Sequence, residues 1–269
     1  MTEPRGVWLY AVAGQVDAAA LTGLAGVGGG AVRAVAAGGL TAVAGDVELE
    51  EYSEAALRRN LEDMDWLAAT ARAHHQVIDA LARQGPLVPM RLATVYRSFA
   101  SVIATITARA GDFRQTLDRL GTRKEWGVKA YMADEPAPAA APGAGPAAGA
   151  GTAYLMRRRE QLSANQSRRR EAAASARTVH GELSRHAAEA RCHPPQAPQL
   201  SGERAVMVLN AAYLLDEGRA TEFAEAVTVL AGRHPSIRLE LTGPWPAYSF
   251  VGASAEGPGR SAAPASTEN

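Results

Sequence analysis

The alternation of apolar and polar positions divides the start of the chain into short strands. Residues 7–12 form an apolar run that predicts a strand, and residues 31–36 and 40–44 predict two more strands joined by Gly38-Gly39. Two apolar runs separated by Gly-Gly are typical of a β-hairpin, because glycine readily adopts the positive φ that a two-residue turn needs. The pattern therefore predicts a small, hairpin-rich sheet.

From Ser53 onwards, apolar residues recur every three or four positions, which is the period of an amphipathic helix. Ser53 is a predicted N-cap, and extended chain is predicted at 87–96, where prolines disfavour helix. A second helix is predicted from Ser98, with Gly111-Asp112 as a candidate break. The buried stripe of the first helix is predicted to contain Leu57, Leu61, Met64, Ala68, Ala71, His75 and Ile78.

The second half of the chain reads as strand, helix, strand, helix and strand. The strands are predicted at 126–132, 205–215 and 237–242, and the helices at 154–191 and 223–230. This order is the outline of a split βαβ, ferredoxin-like layer. The sequence therefore predicts an α+β protein with two domains, the first a small sheet with two long helices and the second a modified ferredoxin-like domain.

The predicted domain boundary lies near residue 122. We expect an N-terminal α+β domain at 1–122 and a C-terminal domain at 123–252. Residues 133–152 are almost entirely Ala, Pro and Gly, whose small side chains do not offset the entropy of ordering, so they predict a flexible insertion. Residues 253–269 have a similar composition and predict a disordered tail. With 269 residues, of which 47% are hydrophobic, the chain is long enough for two cores.

The overall charge is balanced, with 28 Lys and Arg residues against 28 Asp and Glu residues. No net field is therefore available to hold a nucleic acid or an anionic membrane. No apolar run approaches the ~20 residues of a membrane-spanning helix, and the N-terminal sequence lacks the pattern of a secretory signal. We expect a cytoplasmic protein that binds neither nucleic acid nor membrane.

Few residues form a pattern that predicts chemistry. His74, His75 and Asp79 lie within two helical turns, but no H-E-x-x-H pattern accompanies them, so a packing or capping role is favoured over a metal site. Cys192, the single cysteine, has no C-x-x-C partner and is predicted to be a solvent-exposed structural residue. We expect no catalytic residue, no cofactor and no metal.

Two arginine triplets form the strongest charge feature of the sequence. Corresponding members are eleven residues apart and return to nearly the same helical face. The triplets lack the interleaved aromatic residues of a single-strand binder, which favours a solvated or partner-docking face over a nucleic-acid site. Residues 46–65 carry eight carboxylates against two arginines, so charge complementarity makes self-association possible. The triplet residues are Arg157, Arg158, Arg159, Arg168, Arg169 and Arg170.

Five segments, in the same order along the chain, resemble segments of the gas vesicle protein F/L family. The last is similar to the family's terminal Gly-Pro-Trp-Pro-Pro-Tyr-Ser-Phe signature and is the most specific. Leu92 and Ala93 stand where the family usually has Phe-Gly. The segments are NLEDMDWLAATARAHHQVIDAL (60–81), PLVPMRLATVY (86–96), EWGVKAY (125–131), LNAAYLLD (209–216) and LTGPWPAYSFV (241–251).

The resemblance implies a non-enzymatic, minor component of the gas vesicle, a cytoplasmic buoyancy structure. It implies contact with the hydrophobic shell protein and other gas vesicle accessory proteins, during nucleation or at the gas-facing surface. Trp245, Tyr248 and Phe250 are candidate partner-binding residues, because rigid aromatic side chains bury much area at low entropic cost. The alternative is that they close the core of the C-terminal domain. Other candidate functions are nucleic-acid binding and small-molecule catalysis on a ferredoxin-like scaffold.

Overall fold

A computed structural model describes residues 5–133, 150–195 and 205–252. The chain folds into two compact units. The first unit contains the described residues up to Arg123 together with those from Trp245 onwards, and the second contains Lys124–Pro244. Each unit combines helices with one sheet, which confirms the predicted α+β class. None of the described helices combines the length and apolar character needed to cross a bilayer.

The first unit is built on a five-stranded sheet, in which β1 pairs with β3, β4 and β5. The path through the sheet is β2-β3-β1-β4. Strands β2 and β3 form the predicted hairpin, because Gly38 and Gly39 make its turn with φ of 61° and 75°. The strands are β1 (Arg5–Ala13), β2 (Val32–Ala37), β3 (Leu40–Glu48), β4 (Leu87–Pro89) and β5 (Val95–Tyr96).

Five α-helices cover this sheet, and side chains cap several of them. Ser53 and Ser98 each accept the backbone N–H three residues further on, as N-cap residues do. Both predicted long helices are interrupted, the first before Asp63, which caps a new helix, and the second at Arg109. The helices are α1 (Leu49–Tyr52), α2 (Glu54–Asn60), α3 (Met64–Ala82), α4 (Phe99–Ala108) and α5 (Ala110–Leu120).

The buried face of α3 differs from the predicted stripe. Leu61 and Met64 are exposed, and His75 is half-buried, so their assignment to the core was wrong. Asp63 starts a new helix, and this interruption changes the direction in which the preceding and following apolar residues point. His74 faces inward instead, within a buried set made of Thr70, His74, Val77, Ile78 and Leu81.

The second unit has the element order strand, helix, strand, strand, helix, strand. Its sheet order is β7-β8-β6-β9, and β8 is antiparallel to both of its neighbours. This is the split βαβ arrangement expected from the sequence. Apolar residues of both helices pack in one core with the strands. The elements are β6 (Lys124–Met132), α6 (Ala150–Ser184), β7 (Glu189–Cys192), β8 (Met207–Leu215), α7 (Ala220–Arg233) and β9 (Ile237–Trp245).

The sequence did not predict strand β7, because residues 154–191 were assigned to one helix. The helix ends at Ser184, and β7 pairs with β8 from Glu189 opposite Leu214 to Cys192 opposite Ala211. None of the four β7 side chains is buried, so no apolar alternation marks the strand.

The predicted insertion at 133–152 lies only partly within the described residues. Residues 134–149 and the predicted tail at 253–269 lie outside them. Residues 150–152 belong to the first turn of α6, so helix replaces the flexible chain expected there.

The C-terminal residues are grouped differently from the predicted domain at 123–252. Residues from Trp245 onwards go with the first unit, because Phe250 is fully buried and its carbonyl accepts a hydrogen bond from Arg119 in α5. Tyr248 packs against the same unit's hydrophobic core. The segment continues from β9 in sequence, but its side-chain contacts place it in the first unit.

Candidate functional site

The first candidate surface is the C-terminal aromatic segment at residues 243–251. A short 3-10 turn at Tyr248–Phe250 holds it, with Phe250 completely buried. Trp245 is 42% exposed, so it combines contact with the protein and access to solvent. The three predicted partner-binding aromatics thus have different surroundings, and Phe250 offers no exposed area in this conformation.

Two neighbouring histidines of α3 receive this segment. The ring centroids of His75 and Trp245 are 5.4 Å apart at an interplanar angle of 67°, an edge-on contact. His75 Nδ1 lies 3.3 Å from the Tyr248 hydroxyl oxygen. The His74 ring centroid lies 6.5 Å from that of Tyr248. These contacts support Tyr248 and one edge of the Trp245 ring.

His74 is buried below this contact, and both of its ring nitrogens are hydrogen-bonded. Trp8 Nε1 donates to His74 Nδ1 at 2.9 Å, and His74 Nε2 donates to the Met90 carbonyl at 3.1 Å. Burial lowers the pKa of His74 to about 4, so the ring is neutral at pH 7. The predicted packing role is therefore confirmed for His74. Asp79, the other candidate ligand, forms an ion pair with Arg83 at 2.5 Å.

The second candidate surface is the first half of α6, residues 154–170, which we call the arginine arm. Arg158, Arg159, Arg169 and Arg170 are exposed. Arg168 is half-buried and donates to the Ala133 carbonyl at 3.1 Å. Arg157 lies in the helix, but its side chain is outside the described part of the structure. The second half of α6 packs on the sheet through Ala172, Ala176, Val179 and Leu183.

The arginine arm also exposes apolar side chains, which were not predicted from the sequence. The exposed residues are Tyr154, Leu155, Met156 and Leu162. Leu155 and Leu162 are seven residues apart and therefore share one helical face. This seven-residue spacing is visible in the sequence, but two leucines in an arginine-rich helix are only weak evidence of an exposed apolar face.

A small cavity of about 220 Å³ in the second unit contains polar side chains. Cys192 Sγ lies 3.4 Å from His180 Nε2, and His180 Nδ1 lies 2.8 Å from the Tyr213 hydroxyl oxygen. Partial desolvation raises the pKa of the Cys192 thiol, and burial raises that of the Tyr213 hydroxyl. The cavity thus offers a neutral thiol and not an activated nucleophile. Cys192 is exposed, as predicted.

Metal-ligating side chains do not cluster in the described ranges. Within residues 5–133, 150–195 and 205–252, no three or more His, Cys, Asp or Glu side chains lie close enough together to hold a metal ion.

The sequence of the chain matches known gas vesicle proteins. A family model described as gas vesicle synthesis protein GvpL/GvpF matches residues 6–252. Gas vesicle protein L of Streptomyces sp. (strain CB03234) is 42% identical over 260 residues, which cover 95% of this chain and 96% of that protein. Gas vesicle protein F of the same strain is 26% identical over 189 residues, covering 66% and 76% respectively.

The fold matches two crystal structures of GvpF. The structure from Anabaena sp. PCC7120 has a TM-score of 0.64 at 19% identity, covering 92% of this chain and 96% of that one. The structure from Microcystis aeruginosa has a TM-score of 0.62 at 17% identity, covering 91% and 98%. These likenesses show a shared fold, and the family model and the 42% identity extend over nearly the whole chain. The chain therefore belongs to the gas vesicle protein GvpL/GvpF family.

Proposed function

We propose that this chain is a non-enzymatic gas vesicle assembly protein that binds the hydrophobic shell protein. Membership of the family supports a role in gas vesicle assembly. The proposal adds the partner and the contact surface, and it locates the protein at the gas vesicle in the cytoplasm. Binding takes place during nucleation or at the gas-facing surface.

The half-exposed Trp245 is the observation that carries this proposal. Pro244 and Pro246 restrict the backbone on both sides, so Trp245 is presented with little entropy left to lose on binding. Phe250 anchors the segment and Tyr248 supports it, which assigns these two residues a positioning role. A strongly apolar shell subunit needs a partner of this kind, because exposed apolar patches aggregate before polymerisation.

The size of the expected effect follows from the exposed area of Trp245. A tryptophan side chain buries up to about 250 Å², so the exposed fraction of 42% corresponds to about 100 Å². At about 25 cal/mol per Å², covering this area contributes about 2.5 kcal/mol. Trp245→Ala is therefore expected to weaken binding by about tenfold to a hundredfold.

The test is capture of the shell protein by the purified full-length chain. Trp245→Ala is compared with Val229→Ala, because Val229 is 50% exposed but lies on α7. We expect Trp245→Ala to lose the shell protein and Val229→Ala to retain it, with thermal unfolding of both close to that of the parent. A folded Trp245→Ala variant that captures the shell protein normally would exclude this contact surface. Washing of purified vesicles then separates a nucleation role from retention in the finished vesicle.

A further inference from the structure

We propose that the protein self-associates by docking the arginine arm of one copy on the acidic junction of another copy. The acidic junction consists of residues 61–65, which are the connection from α2 to α3 and the first two residues of α3. This inference goes beyond binding of the shell protein and rests on different residues. It concerns two copies of the same chain, held by opposite charges and by apolar contact.

The arginine arm carries a concentrated positive charge next to exposed leucines. Residues 154–170 contain six arginines against one glutamate. Leu155 and Leu162 are 66% and 58% exposed and share a helical face. At 100° per residue, Arg159 and Arg169 lie about 40° to either side of Leu155. The arm therefore presents an apolar stripe flanked by guanidinium groups.

The acidic junction has the opposite charge around similar apolar side chains. All five of its residues are exposed, and Met64 is 63% exposed. Asp63 caps α3 through two backbone N–H groups, which fixes the position of the junction on the fold. Around it, residues 46–65 carry eight carboxylates against two arginines. Leu61 and Met64 thus lie among carboxylates, as Leu155 and Leu162 lie among arginines.

Several charged side chains on each surface have no partner among the described residues, although Arg168 and Asp63 do. In the described ranges, no hydrogen bond or ion pair joins the side chains of Glu62 or Asp65 to another residue. The same is true of four arginines of the arm, which are Arg158, Arg159, Arg169 and Arg170. Both sets are therefore available to another molecule, and their opposite signs attract two copies and set their orientation.

The exposed apolar residues coincide with the two charged surfaces. Of the nine large apolar side chains that the described residues expose, four belong to the arginine arm and two to the acidic junction. Positive and negative residues are equal in number over the whole chain. The two charged surfaces therefore reflect a separation of the charges along the chain, not an excess of one sign. Apolar side chains ringed by charge are typical of a protein contact surface. A nucleic acid would satisfy the arginines but not the exposed leucines.

The test is the oligomeric state of the full-length chain in variants with reversed charges. Arg158→Glu with Arg159→Glu lowers the net charge of residues 154–170 from +5 to +1, and Glu62→Lys with Asp65→Lys changes that of residues 61–65 from −3 to +1. Arg97→Glu with Arg233→Glu is the matched control for the arm variant. Both control residues are exposed, and the change in net charge is the same. Circular dichroism verifies folding, which these solvent-exposed substitutions are expected to preserve.

We expect the parent and the control to associate at about 50 mM salt in sedimentation equilibrium, and to weaken at least tenfold at about 500 mM. Each reversal variant alone is expected to associate at least tenfold more weakly than the parent, because the arm variant loses most of the attraction and the junction variant gives both surfaces a positive charge. An equimolar mixture of the two variants is expected to associate again, because the unaltered arm of the junction variant can dock on the unaltered junction of the arm variant.

Four outcomes would overturn the proposal. The first is a parent that stays monomeric at low salt up to about 100 µM, where even weak contacts are populated. The second is undiminished association of both reversal variants, and the third is a mixture that remains monomeric. Loss of binding to a generic DNA duplex by the arm variant, with self-association retained, would also overturn it and would favour a nucleic-acid surface. If a reversal variant misfolds, Arg158→Gln with Arg159→Gln is used, with a smaller loss of association expected.

Discussion

Acidification is expected to destabilise the first unit through the buried His74. Above the unfolded pKa of 6.5 the ring is neutral in both states and adds no pH dependence. Between pH 6.5 and about 4 only the unfolded chain binds the proton, so the unfolded state is favoured as the pH falls. Below about 4 both states are protonated, and the loss of stability from this group is complete.

The magnitude follows from the width of this pH window. Each unit of difference between the folded and unfolded pKa corresponds to about 1.4 kcal/mol. A shift from 6.5 to about 4 therefore lowers the free energy of unfolding by about 3 kcal/mol at pH 4, and by about 2 kcal/mol at pH 5. Such a loss is a large fraction of the 5–15 kcal/mol that is typical of folded domains.

His74→Gln isolates this effect, because glutamine does not titrate but can still accept from Trp8 and donate to the Met90 carbonyl. Urea unfolding of the parent and the variant at pH 7 and pH 5 is the assay. The parent is expected to lose about 2 kcal/mol more than the variant, since the other titrating groups are common to both. Equal losses in the two proteins would refute the argument. His74→Leu leaves both partners unpaired and is expected to lower stability at pH 7 by about 1–3 kcal/mol for each partner.

Three further predictions concern positions at which the backbone or a buried donor is constrained, and urea unfolding measures each of them. Ala93 has a φ of 64°, so Ala93→Gly is expected to stabilise the chain by about 0.5–1 kcal/mol, and no gain would show that this conformation is unstrained. Gly38→Ala is expected to lower stability by about 2 kcal/mol or more, because φ is 61° and the added Cβ would lie 2.9 Å from the backbone of α4. Gly111→Ala is its control, with nothing within 4 Å of the added Cβ and a gain of up to about 1 kcal/mol expected, so equal effects at the two glycines would contradict the steric argument. Tyr10→Phe removes the acceptor 2.7 Å from the Val27 N–H and is expected to lower stability by about 1–3 kcal/mol, whereas an unchanged value would mean that this donor finds another partner.

Elements with strong local signals were predictable from the sequence. The hairpin at Gly38-Gly39 and the caps at Ser53 and Ser98 depend on residues within three or four positions of each other. The split βαβ layer was predictable because its helical and strand periods differ, although β7 was not. Strand β7 is stabilised by its backbone pairing with β8, and its side chains show no alternation of buried and exposed positions that the sequence could reveal.

The candidate surfaces were predictable only in part. The arginine triplets and the terminal aromatics were visible in the sequence, but their surroundings were not. Phe250 is buried in the first unit and Trp245 is half-exposed, a difference that two similar aromatic residues do not reveal locally. The family resemblance rested on short segments in the same order along the chain, and that signal was strong enough to identify the family without any structure.

The sequence by itself determined the fold class, the positions of most helices and strands, and the family, because these depend on local periodicity and short motifs. Tertiary structure decided which of two adjacent histidines is buried and where the C-terminal segment packs. The buried His74 accepts a hydrogen bond from Trp8, which is 66 residues away, and Tyr248 lies 173 residues from its contact His75. Such partners are brought together only by folding, so no local pattern in the chain encodes them.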